Sequence, residues 1–248
     1  MPITESDFNK DFGCNWIKRS TATLHEVFLL NTTPGYAQSF ELSGSDLQDL
    51  MSTTPLENLR FHMGVRSTGS LLFQPFVEAV GAPAGSASFY PMNHTTSGVL
   101  GPLHKEKHVL SEGESYTTLE TKGKTAGDSV INPDTALLLY AGWRDILPHE
   151  NKGSTFQLPN NSSQSGRYRH CTMTIEDFGK LTTLIGTSPA QSKLRFYIGA
   201  SLLTTIHPFM FKAIIEGEKA DGTNKFYEFS NPCPFNCGTP PPVCSDPE

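Results

Sequence analysis

The sequence predicts an α+β fold, β-rich with short helices, built from two pseudo-repeated strand–helix–strand–strand units on mainly antiparallel sheet. Three observations predict it. The first is an internal repeat: Leu59-Arg60-Phe61-His62-Met63-Gly64-Val65 returns as Leu194-Arg195-Phe196-Tyr197-Ile198-Gly199-Ala200, and self-similarity of this kind marks a duplicated structural unit. The second is the order of landmarks around the two copies. Phe40-Glu41-Leu42 and Asp46 to Leu50 precede the first; Met173-Thr174-Ile175 and Asp177 to Leu181 precede the second. A proline turn follows each helix, at Pro55 and Pro189, then apolar runs at Leu71 to Val80 and Ile206 to Ile215. The closing pairs are Phe89-Tyr90 and Phe226-Tyr227. The third is composition. Only 18% of residues are charged, and the polar remainder of Ser, Thr, Asn, Gly and Pro favours strands and turns over long solvated helices.

Taken in order, Met1 to Lys10 holds Glu5 and Asp7 and no apolar stretch, so it does not read as a secretory signal. The expected compartment is therefore the cytoplasm, with export by another route left open. In each unit a strand ends at a short polar or acidic residue, Ser43 to Ser45 or Glu176, suited to cap the next helix. Leu47, Leu50 and Met51 then share one helix face, as do Phe178, Leu181, Leu184 and Ile185. In the repeated strand Leu59, Phe61 and Met63 alternate with Arg60 and His62, the period of a half-buried strand. Ala136 to Trp143 is a buried strand or short helix, and Phe156 to Leu158 a possible short strand. The divisions expected are 1–120 for the first unit with an N-terminal extension, 121–135 for a loop or linker, 136–230 for the second unit, and 231–248 for a Pro/Cys-rich tail.

Charge excludes one class of partner. The formal net charge is −6, and no basic stretch is long enough for a duplex footprint, so nucleic acid is not expected. The longest apolar run, Ala136 to Ala141, is far short of the ~20 residues of a membrane span.

Candidate chemistry is sparse. His104 and His108 stand four apart, on one face if helical, and His94 could add a third nitrogen to hold a metal. The Glu that follows the first His in metalloprotease helices is missing, and surface histidines explain the spacing as well. Cys233, Cys237 and Cys244 form a thiol cluster open to three readings: a disulfide after export, a weak metal site, or unreactive thiols in a rigid tail. Five cysteines leave at least one unpaired. Gly123-Lys124-Thr125 lacks the earlier glycine of a phosphate loop, since Thr118 stands there. His170-Cys171 pairs a base with a thiol in sequence only, because adjacent strand residues face opposite sides.

The Leu194 to Gly199 strand and the closing Asn231-Pro232-Cys233-Pro234-Phe235-Asn236-Cys237 resemble a group of uncharacterised bacterial proteins with an R-x-Y-x-G strand and a PCP-x-x-C terminus. The resemblance implies a bacterial origin and carries no activity or site residues.

The function expected is a non-catalytic structural or interaction protein that self-associates into an oligomer or filament. Its partner is a copy of itself or another protein, with no cofactor. Pseudo-symmetric halves offer two similar surfaces, and short, weakly charged strands leave edges open to pairing. One alternative is a metal-dependent enzyme or ligand-binding domain using His94, His104 and His108. Another is a carbohydrate- or surface-binding module presenting Tyr36, Tyr140, Trp143 and Tyr168.

Overall fold

Both copies of the Leu-Arg-Phe repeat form central strands of equivalent sheets. The computed structural model describes residues 1–20, 22–30, 35–69, 71–81, 87–96, 130–146, 151–156, 168–201 and 210–229. Unit one opens with β1 (Ile3–Thr4), α1 (Glu5–Phe8), a π-helical turn (Asn9–Gly13) and α2 (Cys14–Lys18). A 3₁₀ turn (Leu24–Phe28) leads to β2 (Ser39–Ser43), α3 (Gly44–Met51), β3 (Asn58–Val65), β4 (Phe73–Val80), β5 (Ser88–Pro91) and β6 (Asn93–His94). Unit two repeats the order with β7 (Val130–Ile131), α4 (Pro133–Arg144), α5 (Asn151–Ser154), β8 (His170–Thr172), α6 (Ile175–Ile185), β9 (Lys193–Ser201), β10 (Met210–Glu218) and β11 (Asn224–Phe229).

The units exchange a strand. One sheet runs β1-β5-β4-β3-β8 and the other β6-β2-β9-β10-β11-β7. All the pairings are antiparallel. The first strand of each strand–helix–strand–strand unit therefore lies beside the second strand of the other. The registers match: Phe40 faces Phe196 and Leu42 faces Leu194, while Cys171 faces Phe61. The two sheets meet through the odd-numbered face of β3 and the even-numbered face of β9. Leu59, Phe61, Met63 and Val65 join Leu194, Phe196, Ile198 and Ala200 in one core. The Phe61 and Phe196 rings stack at 6.2 Å across it.

The duplication reaches beyond the landmarks legible in the sequence. Each unit begins with an edge strand followed by a capped helix: Thr4 accepts from the Asp7 N–H, and Asn132 from the Thr135 N–H. Each helix carries a buried tryptophan, Trp16 or Trp143. The first copy has one residue more between cap and tryptophan, and the π-helical turn at Asn9–Gly13 accommodates it. The stretch expected to be a linker, 121–135, thus contains β7 and the start of α4, and the open reading of Ala136 to Trp143 resolves as helix.

The repeated glycine has a packing reason. A Cβ on Gly64 would come within 2.9 Å of the Phe12 Cβ, and one on Gly199 within 3.3 Å of the Leu139 carbonyl carbon. Only glycine lets the first helix of each unit lie this close to its strand. From the other side, a Cβ on Gly142 would meet the Ala200 carbonyl oxygen at 2.5 Å. Gly142→Ala gains about 1 kcal/mol of helix propensity but is expected to lose about 1–3 kcal/mol to overpacking. The obstructing atom is backbone in a central strand and cannot step aside, so thermal unfolding should show a lowered midpoint.

Local chemistry ends the helices differently from expectation. Thr174, not Glu176, caps α6: its hydroxyl accepts from the Asp177 N–H at 3.1 Å and donates to the Asp177 carboxylate. Ser43 makes no side-chain cap bond. The predicted apolar faces hold, with Leu47 and Leu50 of α3, and Phe178, Leu181, Leu184 and Ile185 of α6, buried. Of the possible strand at 156–158, Phe156 is a turn residue just after α5, and the other two positions lie outside the described residues. Among the described residues no helix is long and apolar enough to cross a membrane.

Candidate functional site

The polar groups of the two units gather on the sheet faces turned away from the shared core. In unit one, Arg60 and His62 of β3 meet Glu78 of β4 and His170 of β8. The Arg60 Nη1 donates to Glu78 Oε2 at 3.1 Å, and the His62 Nε2–H donates to the same oxygen at 2.6 Å. His170 lies directly opposite His62, the ring centroids 5.1 Å apart. Phe8 and Phe89 close the pocket around the His62 ring at 5.2 and 4.9 Å.

Unit two carries the counterpart at matching positions. Arg195 faces Glu216 as Arg60 faces Glu78. Tyr197 takes the place of His62, its hydroxyl donating to Glu216. The Arg195 Nε donates to Glu41 at 2.9 Å, and its Nη1 to Glu218 at 2.6 Å with Glu216 at 3.1 Å. Asn224 Nδ2 adds a bond to Glu216 at 2.9 Å. Burial separates the two groups. The Arg195 side chain is 1% exposed and that of Glu216 0%, whereas Arg60 keeps 22%. Tyr140 of α4 covers Tyr197 edge-on at 5.6 Å.

The electrostatics follow from this packing. Burial pushes the His62 pKa down, partly offset by the Glu78 bond and charge. Burial would raise Glu78, but the His62 bond and the charges of His62 and Arg60 outweigh it and hold the carboxyl below its usual range. Burial, then the His62, Arg60 and Arg169 charges, bring His170 down to about 3. At neutral pH the cluster holds two neutral imidazoles beside an arginine–carboxylate pair. In unit two, burial opposes the charge on Arg195, but Glu218, Glu216 and Tyr197 overcome it and raise the pKa.

A pH dependence is expected. The unfolded chain protonates His170 near its ordinary value of 6.5, while the folded chain resists until about 3. Between these values the unfolded state binds more protons, so stability is full above 6.5 and is lost as pH falls towards 3. His62, Arg60 and Arg169 repel a proton added to His170, while Glu78 and Glu5 favour one on His62 beside it. Allowing for partial exposure, His170 should contribute a loss on the order of 1–2 kcal/mol between pH 7 and pH 4. His170→Asn should narrow the difference between urea midpoints measured at those two values.

The sequence-predicted residues fall elsewhere. His94 sits on β6 opposite Phe40, half-buried against that ring at 6.1 Å, and burial lowers its pKa. His104, His108, Cys233, Cys237, Cys244 and the 123–125 loop lie outside the described residues. Among the described residues no group of three His, Cys, Asp or Glu side chains could hold a metal ion. Cys171 is a free thiol in the core, raised to about 12 by burial, and faces away from His170. Cys14, which no sequence motif singles out, is disulfide-bonded.

Three of the four aromatics considered for sugar stacking are core residues: Tyr140, Trp143 and Tyr168 are buried. Trp143 instead packs beside Lys152. That buried ammonium lies 4.7 Å from the indole and donates to the Trp143 and Arg144 carbonyls at 2.5 and 2.7 Å. It adds a donor to the carbonyls of the last turn of α4, where the Trp143 carbonyl also accepts from the Ile146 N–H at 3.4 Å, and burial lowers its pKa to about 8.

The sequence did hold a signal for the Arg60 and Arg195 groups. The repeat places an arginine before Phe in both strands, and a glutamate stands opposite each in the following strand. No protein-family model, curated protein or solved structure matches the chain.

Proposed function

We propose that the chain is a non-catalytic structural or interaction protein that works by association, with further copies of itself as the first partner. The observation that carries this reading is the equivalence of the two polar groups. Arg60, His62 and Glu78 occupy the positions that Arg195, Tyr197 and Glu216 occupy in unit two. There Arg195 and Glu216 are sealed from water and held by one another and by Tyr197 and Asn224, which is architecture rather than chemistry. The His62–Glu78 pair resembles the oriented base of a hydrolase, yet the neighbouring thiol, Cys171, lies on the other face of the sheet. Cys14 adds a point on compartment: a disulfide persists where surroundings are oxidising, which favours export over the cytoplasm.

Light scattering across a concentration series, with negative-stain microscopy, tests the reading. Mass that grows with concentration into defined particles is the expected result. A monodisperse monomer at the highest concentration reached overturns it.

A further inference from the structure

The described sheets end in short strands. The outer strands β1, β6 and β7 are two residues long and β8 three. Short edge strands are a usual defence against edge-to-edge pairing, and here each covers only part of its neighbour: β7 is in register with Phe226 and Tyr227 of β11, and β8 with Arg60, Phe61 and His62 of β3. The boundary between the units is another matter. β2 completes the sheet of unit two, and β8 completes the sheet of unit one. The Phe61–Phe196 and Phe28–Phe156 stacks cross the same boundary. So does the bond from the Trp16 Nε1–H to the Tyr168 carbonyl at 2.6 Å. Each unit is thus a template for the other, and none of these contacts depends on which chain supplies the second unit.

We propose that two copies of this chain associate by exchanging whole units, unit one of each docking on unit two of the other. This rests on the reading of the chain as self-associating and specifies its mode. Exchange forms no new interface, so the native contacts are kept in full. What changes is entropy: within one chain the two units are already joined covalently, whereas two chains must meet. Covalent joining of two units in one chain keeps them at an effective concentration of order millimolar. Intrachain docking therefore prevails in dilute protein, and exchange takes over where chains fold at high local concentration. Reciprocal exchange closes a twofold pair, whereas one-way exchange continues into an open chain.

Ser43 of β2 and Lys193 of β9 face each other at the margin of this boundary. Full-length chains carrying only Ser43→Cys are mixed with chains carrying only Lys193→Cys, unfolded in urea without reductant at mildly acidic pH so that the Cys14 disulfide is kept, and refolded together. A short bis-maleimide is then added. A link between positions 43 and 193 can form only across chains, and each variant refolded alone controls for the native thiols. The expected result is a dimer containing the 43–193 peptide link, its share of the chains rising roughly fiftyfold between refolding at about 3 μM and at about 300 μM. Dimers that lack this link would overturn unit exchange and leave self-association standing. Monomer alone at every concentration would overturn both.

Discussion

Replacing Arg195 by alanine is expected to cost about 3–5 kcal/mol of folding stability, the penalty for leaving a buried carboxylate uncompensated. The guanidinium touches Glu41, Glu216 and Glu218 at once, and the Glu216 side chain has no exposure to water. Tyr197 and Asn224 would still donate to Glu216, but hydrogen bonds from neutral groups do not cancel a charge in a medium of low polarity. Arg60→Ala supplies an internal control at the equivalent position. Arg60 is partly exposed, and Glu78 keeps the His62 bond, so the loss there should be near 1 kcal/mol. Urea unfolding of both variants gives the comparison. Pairing Arg195→Met with Glu216→Gln should recover much of the loss, because apolar or neutral replacements remove the desolvation penalty along with the attraction. Equal losses at Arg60 and Arg195 would mean that burial does not set the strength of these pairs.

That contrast also marks how far the sequence could be read. Leu59, Phe61 and Met63, and their counterparts at Leu194, Phe196 and Ile198, announce strands by strict alternation, and the helices beside them by spaced apolar residues. Local grammar of this kind survives duplication. It says nothing of pairing partners, because β2 reads the same whether it lies beside β3 or, as found, beside β9. Strand exchange is decided by contacts between residues far apart in the chain. The kinship of Trp16 and Trp143 was hidden for a different reason: an extra residue in the first helix shifts the apolar positions, and the π-helical turn restores them only in three dimensions. His62 and His170 meet for the same long-range reason that β3 and β8 do. The arginine–glutamate pairs were legible in principle, since both members recur in both copies, but a lone charged residue in a strand ordinarily reads as solvent-facing.

Phe28→Ala is expected to cost about 3–5 kcal/mol, through lost burial and a cavity that the surroundings fill only in part. Phe28 is fully buried at the boundary between the units. Its ring stacks on Phe156 at 5.5 Å with the ring planes 12° apart, and touches Phe73 at 4.5 Å and Trp143 at 5.2 Å. Phe156 mirrors it, meeting Phe211 at 4.8 Å and Trp16 at 5.2 Å. Phe156→Ala should therefore cost a similar amount. The double replacement should cost less than the sum by about 0.5–3 kcal/mol, since each variant already breaks the same stack. Additivity within a few tenths of a kcal/mol would mean that the rings do not act together. The cluster also makes an optical prediction, because the chain has 2 tryptophans and each unit holds one. Trp16→Phe and Trp143→Phe leave a single reporter in opposite units, each packed against a phenylalanine of the other. The largest core cluster is shared between the units, while each keeps only a small cluster of its own, Phe8, Phe76 and Phe89 in unit one and Ile131, Leu139, Tyr140, Tyr197, Ile214 and Phe226 among those in unit two. Both reporters should follow one unfolding transition at one denaturant midpoint; two separated midpoints would mean that a unit stands alone, and the shared core would no longer explain the fold.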